Sequence, residues 1–340
     1  MKVIVGLSGG VDSAVSAYLL REQGYEVIGV TAILNDETDI VTDAKAVADY
    51  LGIEYRTVDY RNKFKKDIID YFISEYAAGR TPNPCSMCNP LIKWEALMEV
   101  MVSESAEYVA TGHYANIDII NDRYSIKNSV TTTKDQTYAL ALLSQEQLRH
   151  TIMPLGEYTK DKVREIALNA GLPVATKSDS QDICFVPDGD YAGFIDRNSL
   201  VKRIAGNFVT KEGKILGMHE GINCYTIGQR KGLNLAMGHP VFVTKIRPET
   251  NEVVIGESED LFTTQMFVSN ISFMGGSEDM LPKRLKCKVR YAHKGGECIL
   301  EKSTDGTYKV SFEEAVRAIT PGQTAVFYDG DYIFAGAVIN

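Results

Sequence analysis

Cys85 and Cys88 form a C-x-x-C between two Asn-Pro steps in NPCSMCNP (83–90), and Cys184 lies far along the chain in SDSQDICF (178–185). Thiolates are good nucleophiles near neutral pH, and better ones when their pKa is lowered. Two separated thiols can do what one cannot. One carries a persulfide sulfur to a carbon, and the other attacks the resulting S–S bond and frees the product. A structural zinc site needs a second C-x-x-C or a paired His at suitable spacing, and the chain offers neither. Cys224, Cys287 and Cys298 fall in runs with strand-like alternation and read as small core hydrophobes.

A second chemical signal precedes these thiols. GLSGGVDSAV (6–15) follows an apolar, strand-like run and opens a helix-like one. Gly9 and Gly10 permit a tight turn and close backbone approach. The free N–H groups of such a turn and of the first helical turn make an anion cradle, and the helix dipole favours negative charge there. Ser8 and Ser13 add hydroxyl donors. Asp12 is out of place in a phosphate cradle unless it holds a cation or reads an amine. The loop lacks the G-K-[ST] ending of a Walker A motif and the spacing of G-x-G-x-x-G. It resembles the S-G-G-x-D-S loop of the PP-loop ATP pyrophosphatases, which cut ATP to AMP and pyrophosphate and leave AMP on a substrate oxygen.

The elements that must position these groups follow from periodicity. Strand patterns at 2–7, 26–32, 54–59 and 108–112 alternate with helical patterns at 12–24, 41–52, 63–79 and 92–105. Such alternation predicts a parallel sheet with crossover helices. A hairpin at 114–126 turns at Asn121-Asp122, and helices are expected over 134–150 and 159–171, the latter capped by Thr159 and stopped by Gly171. From about residue 197 short alternating runs separated by Gly, Asn and Asp predict β-rich barrel or sandwich modules. Trp94 reads as packing. The chain has 340 residues, and at about 150 per domain that suggests two or three domains.

Six cysteines in a chain this long are not a disulfide framework. No apolar run approaches the ~20 residues of a membrane helix, and the short apolar N-terminus is no signal-peptide core, so a cytoplasmic protein with no membrane partner is expected. The net charge of −9 argues against a nucleic-acid partner. The distribution qualifies it: KRLKCKVRYAHK (283–294) carries no acid, and its alternating Lys286, Lys288 and Arg290 would share one strand face.

Taken together, GLSGGVDS, GRTPNPCSMCN, IKW, ATGHYA, KDQTYAL, DSQDICF, YTIGQRKGL and PGQTAVFY resemble the tRNA-specific 2-thiouridylase (MnmA) family, in family order and over nearly the whole chain. The resemblance implies an α/β PP-loop catalytic domain over 1–196, a small β-rich central domain over 197–258 and a C-terminal β-barrel over 259–340. It implies that ATP with Mg²⁺ adenylates O2 of the wobble uridine at anticodon position 34 of tRNA, and that a persulfide then displaces AMP from C2. A cysteine desulfurase or a sulfur-relay protein would be the donor. Carried over by residue, Gly6, Leu7, Ser8, Gly9, Gly10, Val11, Asp12 and Ser13 would hold ATP, with Ala32 and Gly112 beside it. Ala32 stands where the family often has Met, which weakens that contact. Asn83, Pro84 and Cys85 would frame the target base. Cys88 would be the nucleophile and Cys184 the persulfide carrier. His113, Lys134, Asp135, Gln136, Arg290, Tyr291 and Gln323 would face tRNA.

Cys85 departs from the Asp found there in many members, and with a thiol pKa near 8.5 it is a poor acid–base substitute. It also allows a minority alternative in which Cys85, Cys88 and Cys184 ligate a [4Fe-4S] cluster. Two other chemistries stay open on the residues alone. One is a PP-loop ligase or other sulfurtransferase acting elsewhere. The other is a non-catalytic RNA-binding protein with a degenerate loop.

Overall fold

The computed structural model describes residues 1–36, 39–131, 135–178, 183–199 and 203–340. Val3, Ile4 and Val5 are consecutive and β-branched, as a strand covered on both faces requires. They form β1 (Lys2–Gly6), and all three are fully buried. The chain continues through α1 (Val11–Glu22), β2 (Glu26–Ile33), α2 (Asp39–Leu51), β3 (Glu54–Asp59) and α3 (Arg61–Phe64), which runs through a π-helical stretch, Lys65–Asp70, into α4 (Tyr71–Ala77). Next come α5 (Pro84–Cys88), a second π-helical stretch, Asn89–Trp94, α6 (Glu95–Ser103), β4 (Tyr108–Ala110), β5 (Asn116–Ile120) and β6 (Arg123–Lys127). Then follow α7 (Thr137–Leu140), α8 (Gln145–Arg149), β7 (Thr151–Ile152), α9 (Lys160–Asn169) and α10 (Tyr191–Asn198).

The first sheet has the order β3-β2-β1-β4-β7 and is parallel throughout. The order reverses between β1 and β4, so the loop after β1 opens into the crevice where doubly wound sheets bind ligands. Sequence reading differs from the structure in several places. The C-x-x-C segment begins a helix: Asn83 caps it and Pro84 takes its first position, a pairing that favours helix starts. Pro90 cannot donate inside a regular helix, and it falls in the π-helical stretch Asn89–Trp94. The helix expected over 134–150 is broken into α7 and α8, because Ser144 and Gln147 form a capping box that starts α8 afresh. The two-residue strand β7 and helix α10 were not expected.

The second half is β-rich, as the alternation predicted. A sheet of order β10-β11-β8-β9 contains β8 (Gly206–Val209), β9 (Ile215–His219), β10 (Phe242–Arg247) and β11 (Glu252–Gly256). The remaining strands are β12 (Phe262–Phe273), β13 (Lys283–Lys288), β14 (Gly296–Lys302), β15 (Tyr308–Arg317), β16 (Thr324–Asp329) and β17 (Tyr332–Ile339). They run β12-β15-β14-β13-β16-β17, and β12 pairs with β17 to close a six-stranded barrel. Closure removes the exposed edges of the sheet. Asn121 and Asp122 turn the β5–β6 hairpin at φ 51 and 57, and the hairpin leaves the first domain to pair Lys127 with Tyr332 of β17. Cys287 and Cys298 are fully buried in the barrel core, as expected. Cys224 instead ends a 3-10 turn, Ile222–Cys224, and is half-buried. No helix among the described residues is long and apolar enough to cross a membrane.

Candidate functional site

The loop after β1 is held by its own serines. Leu7 N–H donates to Val30 O at 2.8 Å, and Thr31 Oγ1 donates to Leu7 O at 2.7 Å, which carries the β1–β2 pairing one residue past the strand. Ser8 N–H donates to Ser13 Oγ at 3.1 Å, and the Ser13 hydroxyl donates to Gly10 O at 3.1 Å. Gly9 sits at φ +66. Gly10 caps α1 without a side chain, so the first N–H groups of the helix, which have no intrahelical acceptor, open onto the loop. This is the geometry of an anion cradle, and the residues present fit a nucleotide triphosphate.

Gly112 has one steric job. A Cβ there would lie 2.7 Å from Ser13 N and 2.8 Å from Asp12 C, so only glycine lets the end of β4 abut the start of α1. Asp12 finds the cation its position demanded: Lys160 Nζ lies 2.7 and 2.9 Å from its carboxylate oxygens, and Tyr114 OH donates to it at 2.8 Å. Lys177 Nζ donates to Gly9 O at 3.0 Å and pairs with Asp43.

The thiols gather past the end of β2, the strand whose Val30 and Thr31 hold this loop. Asn83 Oδ1 accepts from Ser86 N–H, and Cys85 points outward while Cys88 turns into the protein at 6% exposure. Cys88 packs in an apolar cluster with Phe64, Ile68 and Ile92, against which Ala32, Val58 and Phe185 also pack. Ala32 thus ties the end of β2 to the thiol cluster. Cys184 is exposed at its surface. The next residue anchors it: the Phe185 ring stands edge-on to Phe72 at 5.3 Å and to Phe64 at 5.8 Å.

Burial pushes the Cys88 thiol up to about 12, opposed by the Lys93 ammonium and reinforced by Cys184 and Cys85. Cys184 has surface exposure, yet the protein packed around its sulfur still disfavours the thiolate and raises its pKa, opposed by Lys93 and reinforced by Cys85. Cys88 and Cys184 therefore share one ammonium, and Cys85 lies close enough to both to act on them. They do not make a metal centre: among the described residues no three His, Cys, Asp or Glu side chains are grouped so as to hold an ion. The cluster alternative does not fit this arrangement.

Of the residues expected to face tRNA, most are bonded inside the protein. His113 Nδ1 is 2.9 Å from Thr111 Oγ1, and its ring lies 5.6 Å from that of Trp94. Burial first, then Lys93, lowers its pKa to about 3, so it is neutral. Trp94 is fully buried, as expected, and donates to Thr151 Oγ1 at 2.8 Å. Asp135 accepts from Ser129 N–H and Thr137 N–H, and Gln136 exchanges backbone and side-chain bonds with Tyr114. Tyr291 is exposed and its hydroxyl donates to Asp135 O at 3.3 Å. Gln323 donates to Thr81 O at 2.8 Å and to Pro82 O at 3.3 Å. Lys134 lies outside the described residues. The basic strand needs a correction. β13 ends at Lys288, so of the three alternating cations only Lys286 and Lys288 stand on it. Arg290 has turned inward and donates to Ile227 O at 2.8 Å and to Thr320 Oγ1.

Known proteins resemble this chain along its whole length. Residues 1–188 match a family model described as a tRNA methyl transferase HUP domain. Residues 193–257 match a PRC-barrel domain of the same series, and 263–339 an aminomethyltransferase beta-barrel domain. A tRNA-specific 2-thiouridylase MnmA of Lachnoclostridium phytofermentans is 50% identical over 99% of this chain and 99% of its own. One of Clostridium kluyveri is 46% identical over 100% of this chain and 99% of its own. The chain belongs to the tRNA-specific 2-thiouridylase family. A solved 4-thiouridine synthetase–RNA complex with bound ATP overlays 58% of it at 15% identity and a TM-score of 0.37.

Within this 2-thiouridylase framework, motif reading missed Lys160, Lys177, Tyr114, Asp43 and Lys93. Tyr114 and Lys93 lie inside quoted motifs, ATGHYA and IKW, but nothing local marks their partners. Asp12 and Lys160 are 148 residues apart in sequence, and only the fold joins them.

Proposed function

We propose that this chain thiolates tRNA at C2 of the wobble uridine, using ATP with Mg²⁺. The observation that carries the reading is the convergence of two thiols from distant segments on one ammonium, at the end of the same strand, β2, that holds the anion-cradling loop. Uridine O2 attacks the α-phosphorus, and pyrophosphate leaves. The terminal sulfur of a Cys184 persulfide adds to C2, and AMP departs with the oxygen, leaving a C2–S–S–Cys184 link. Cys88 thiolate attacks Cys184 Sγ, forming a Cys88–Cys184 disulfide and releasing 2-thiouridine. An external thiol reductant then restores both cysteines. Gly6 to Ser13 and Gly112 hold the nucleotide, Ala32 flanks it, and Asn83, Pro84 and Cys85 receive the base. Lys134, Asp135, Gln136, His113, Arg290, Tyr291 and Gln323 serve the tRNA side, several of them by holding the framework. A cysteine desulfurase or relay protein loads Cys184, and the reaction belongs in the cytoplasm. The working division is 1–196, 197–258 and 259–340.

The methyl-transfer wording of the family model suits the site less well than thiolation, because converging thiols have no evident task in methyl transfer. The deciding experiment combines the purified protein, ATP, Mg²⁺, unmodified tRNA, cysteine and a desulfurase, with nucleosides read by mass spectrometry. The expected product is 2-thiouridine, lost in Cys184→Ser and in Cys88→Ser. Full thiolation by both variants would refute the cysteine roles. No thiolated nucleoside with active donor would refute the activity.

A further inference from the structure

A nucleotide triphosphate brings several negative charges into a loop that already has Asp12 and Asp43 beside it. Two ammonium groups from the 160–177 segment answer those carboxylates, and they differ in how firmly they are held. Lys160 is 12% exposed, gripped by both oxygens of Asp12, and lies 5.9 Å from the centre of the Tyr114 ring. Lys177 is 42% exposed and pairs with an Asp43 that is itself 37% exposed. An exposed pair of that kind is weak, and water replaces it readily. Lys177 also touches the loop directly, at Gly9 O. Its Nζ therefore stands at the rim of the cradle on a flexible four-carbon stem, and a phosphate oxygen is a stronger partner than a solvated carboxylate and a neutral carbonyl.

We propose that Lys177 is a nucleotide-binding residue that exchanges Asp43 and Gly9 O for the β- and γ-phosphates of ATP, and so binds the pyrophosphate half of the substrate. This rests on the nucleotide reading above. Lys160 stays on Asp12 and fixes the start of α1. Val174, three residues before Lys177, is buried in the first-domain core.

The test is calorimetric binding of ATP, AMP and inorganic pyrophosphate to the full-length protein and to Lys177→Gln, Lys177→Arg and Asp43→Asn, in Mg²⁺ buffer. In Lys177→Gln, ATP and pyrophosphate should weaken by about tenfold or more, the scale of one charge-assisted hydrogen bond, while AMP changes by less than about twofold. Lys177→Arg should recover most of the loss, and Asp43→Asn should bind ATP at least as well as the parent. Equal weakening of ATP and AMP in Lys177→Gln, or the same loss in Asp43→Asn, would make the lysine a brace of the loop and overturn the proposal. Unchanged ATP binding in Lys177→Gln overturns it too. If the parent protein binds neither ATP nor AMP, the nucleotide reading itself fails and this proposal falls with it; where the parent binds, the variants judge Lys177 alone.

Discussion

Cys88 and His113 show what burial does to two neighbouring groups of opposite type. Desolvation disfavours the charged form of each, so it raises the thiol and lowers the imidazole. An ordinary thiol is largely ionised above ~8.5. Cys88 is pushed up to about 12, so its alkylation by iodoacetamide should keep rising, roughly tenfold per pH unit, from pH 8 to 10. A plateau near pH 9 would contradict this, and Lys93→Gln should slow the reaction further while Lys93→Arg preserves it. His113 runs the other way. Its folded pKa, about 3, lies below the ~6.5 of the unfolded chain. The unfolded state therefore takes up the proton first, and the stability present above pH 6.5 is lost as pH falls toward 3, by up to about 1.4 kcal/mol per pH unit. Urea midpoints between pH 6 and 4.5 should fall less steeply in His113→Gln than in the parent, and equal slopes would show that His113 is not buried neutral. The loop residues 6–13 were legible because their chemistry is local: turn, hydroxyls and helix start follow one another in sequence. His113 was not, because its partners Thr111 and Trp94 define it only once β4 packs against the π-helical stretch.

At the scale of elements, the nucleotide loop depends on how closely β4 approaches α1. Gly112 leaves no room for a methyl group, since the atoms in the way are backbone and cannot rotate aside. Gly112→Ala should therefore cost about 1–3 kcal/mol by overpacking and displace the first turn of α1. Expected readouts are a lower melting temperature and loss of ATP binding; retention of both would show that β4 can move without disturbing the cradle. The π-helical stretch Asn89–Trp94 plays a related part for the thiols. In an α-helix, residues five apart stand about 140° around the axis from each other. With i→i+5 bonding the turn is wider and that angle narrows, in a stretch whose Lys93 ammonium acts on the Cys88 thiol. Strands and helices of the first sheet were legible from periodicity. The π phase shift and the two-residue β7 were not, because neither leaves a repeating pattern to detect.

Across the whole molecule, the segment before the cysteines is where the three structural units meet. Thr81 N–H donates to Pro321 O at 2.8 Å, Thr81 Oγ1 donates to Thr226 Oγ1 at 3.1 Å, and Gln323 holds Thr81 O and Pro82 O from the barrel. Arg290 ties Ile227 to Thr320 across the same junction, and Tyr138 OH donates to Thr324 O at 2.6 Å. The barrel thus fixes the backbone that leads into Asn83, Pro84 and Cys85, while the nucleotide loop is held by β2, α9 and the residues after it. These two sets of bonds share no residue, which separates their expected failures. Gln323→Ala removes two hydrogen bonds, worth about 0.5–1.5 kcal/mol each, and loosens the segment proposed to receive the base. ATP binding should stay within about twofold of the parent, because no bond to the loop is lost, whereas thiolation of tRNA should fall about tenfold. If ATP binding fell with thiolation, the two sites would be coupled through contacts other than these. If neither changed, Gln323 would be dispensable for holding the cysteine segment, and the barrel would serve tRNA docking alone.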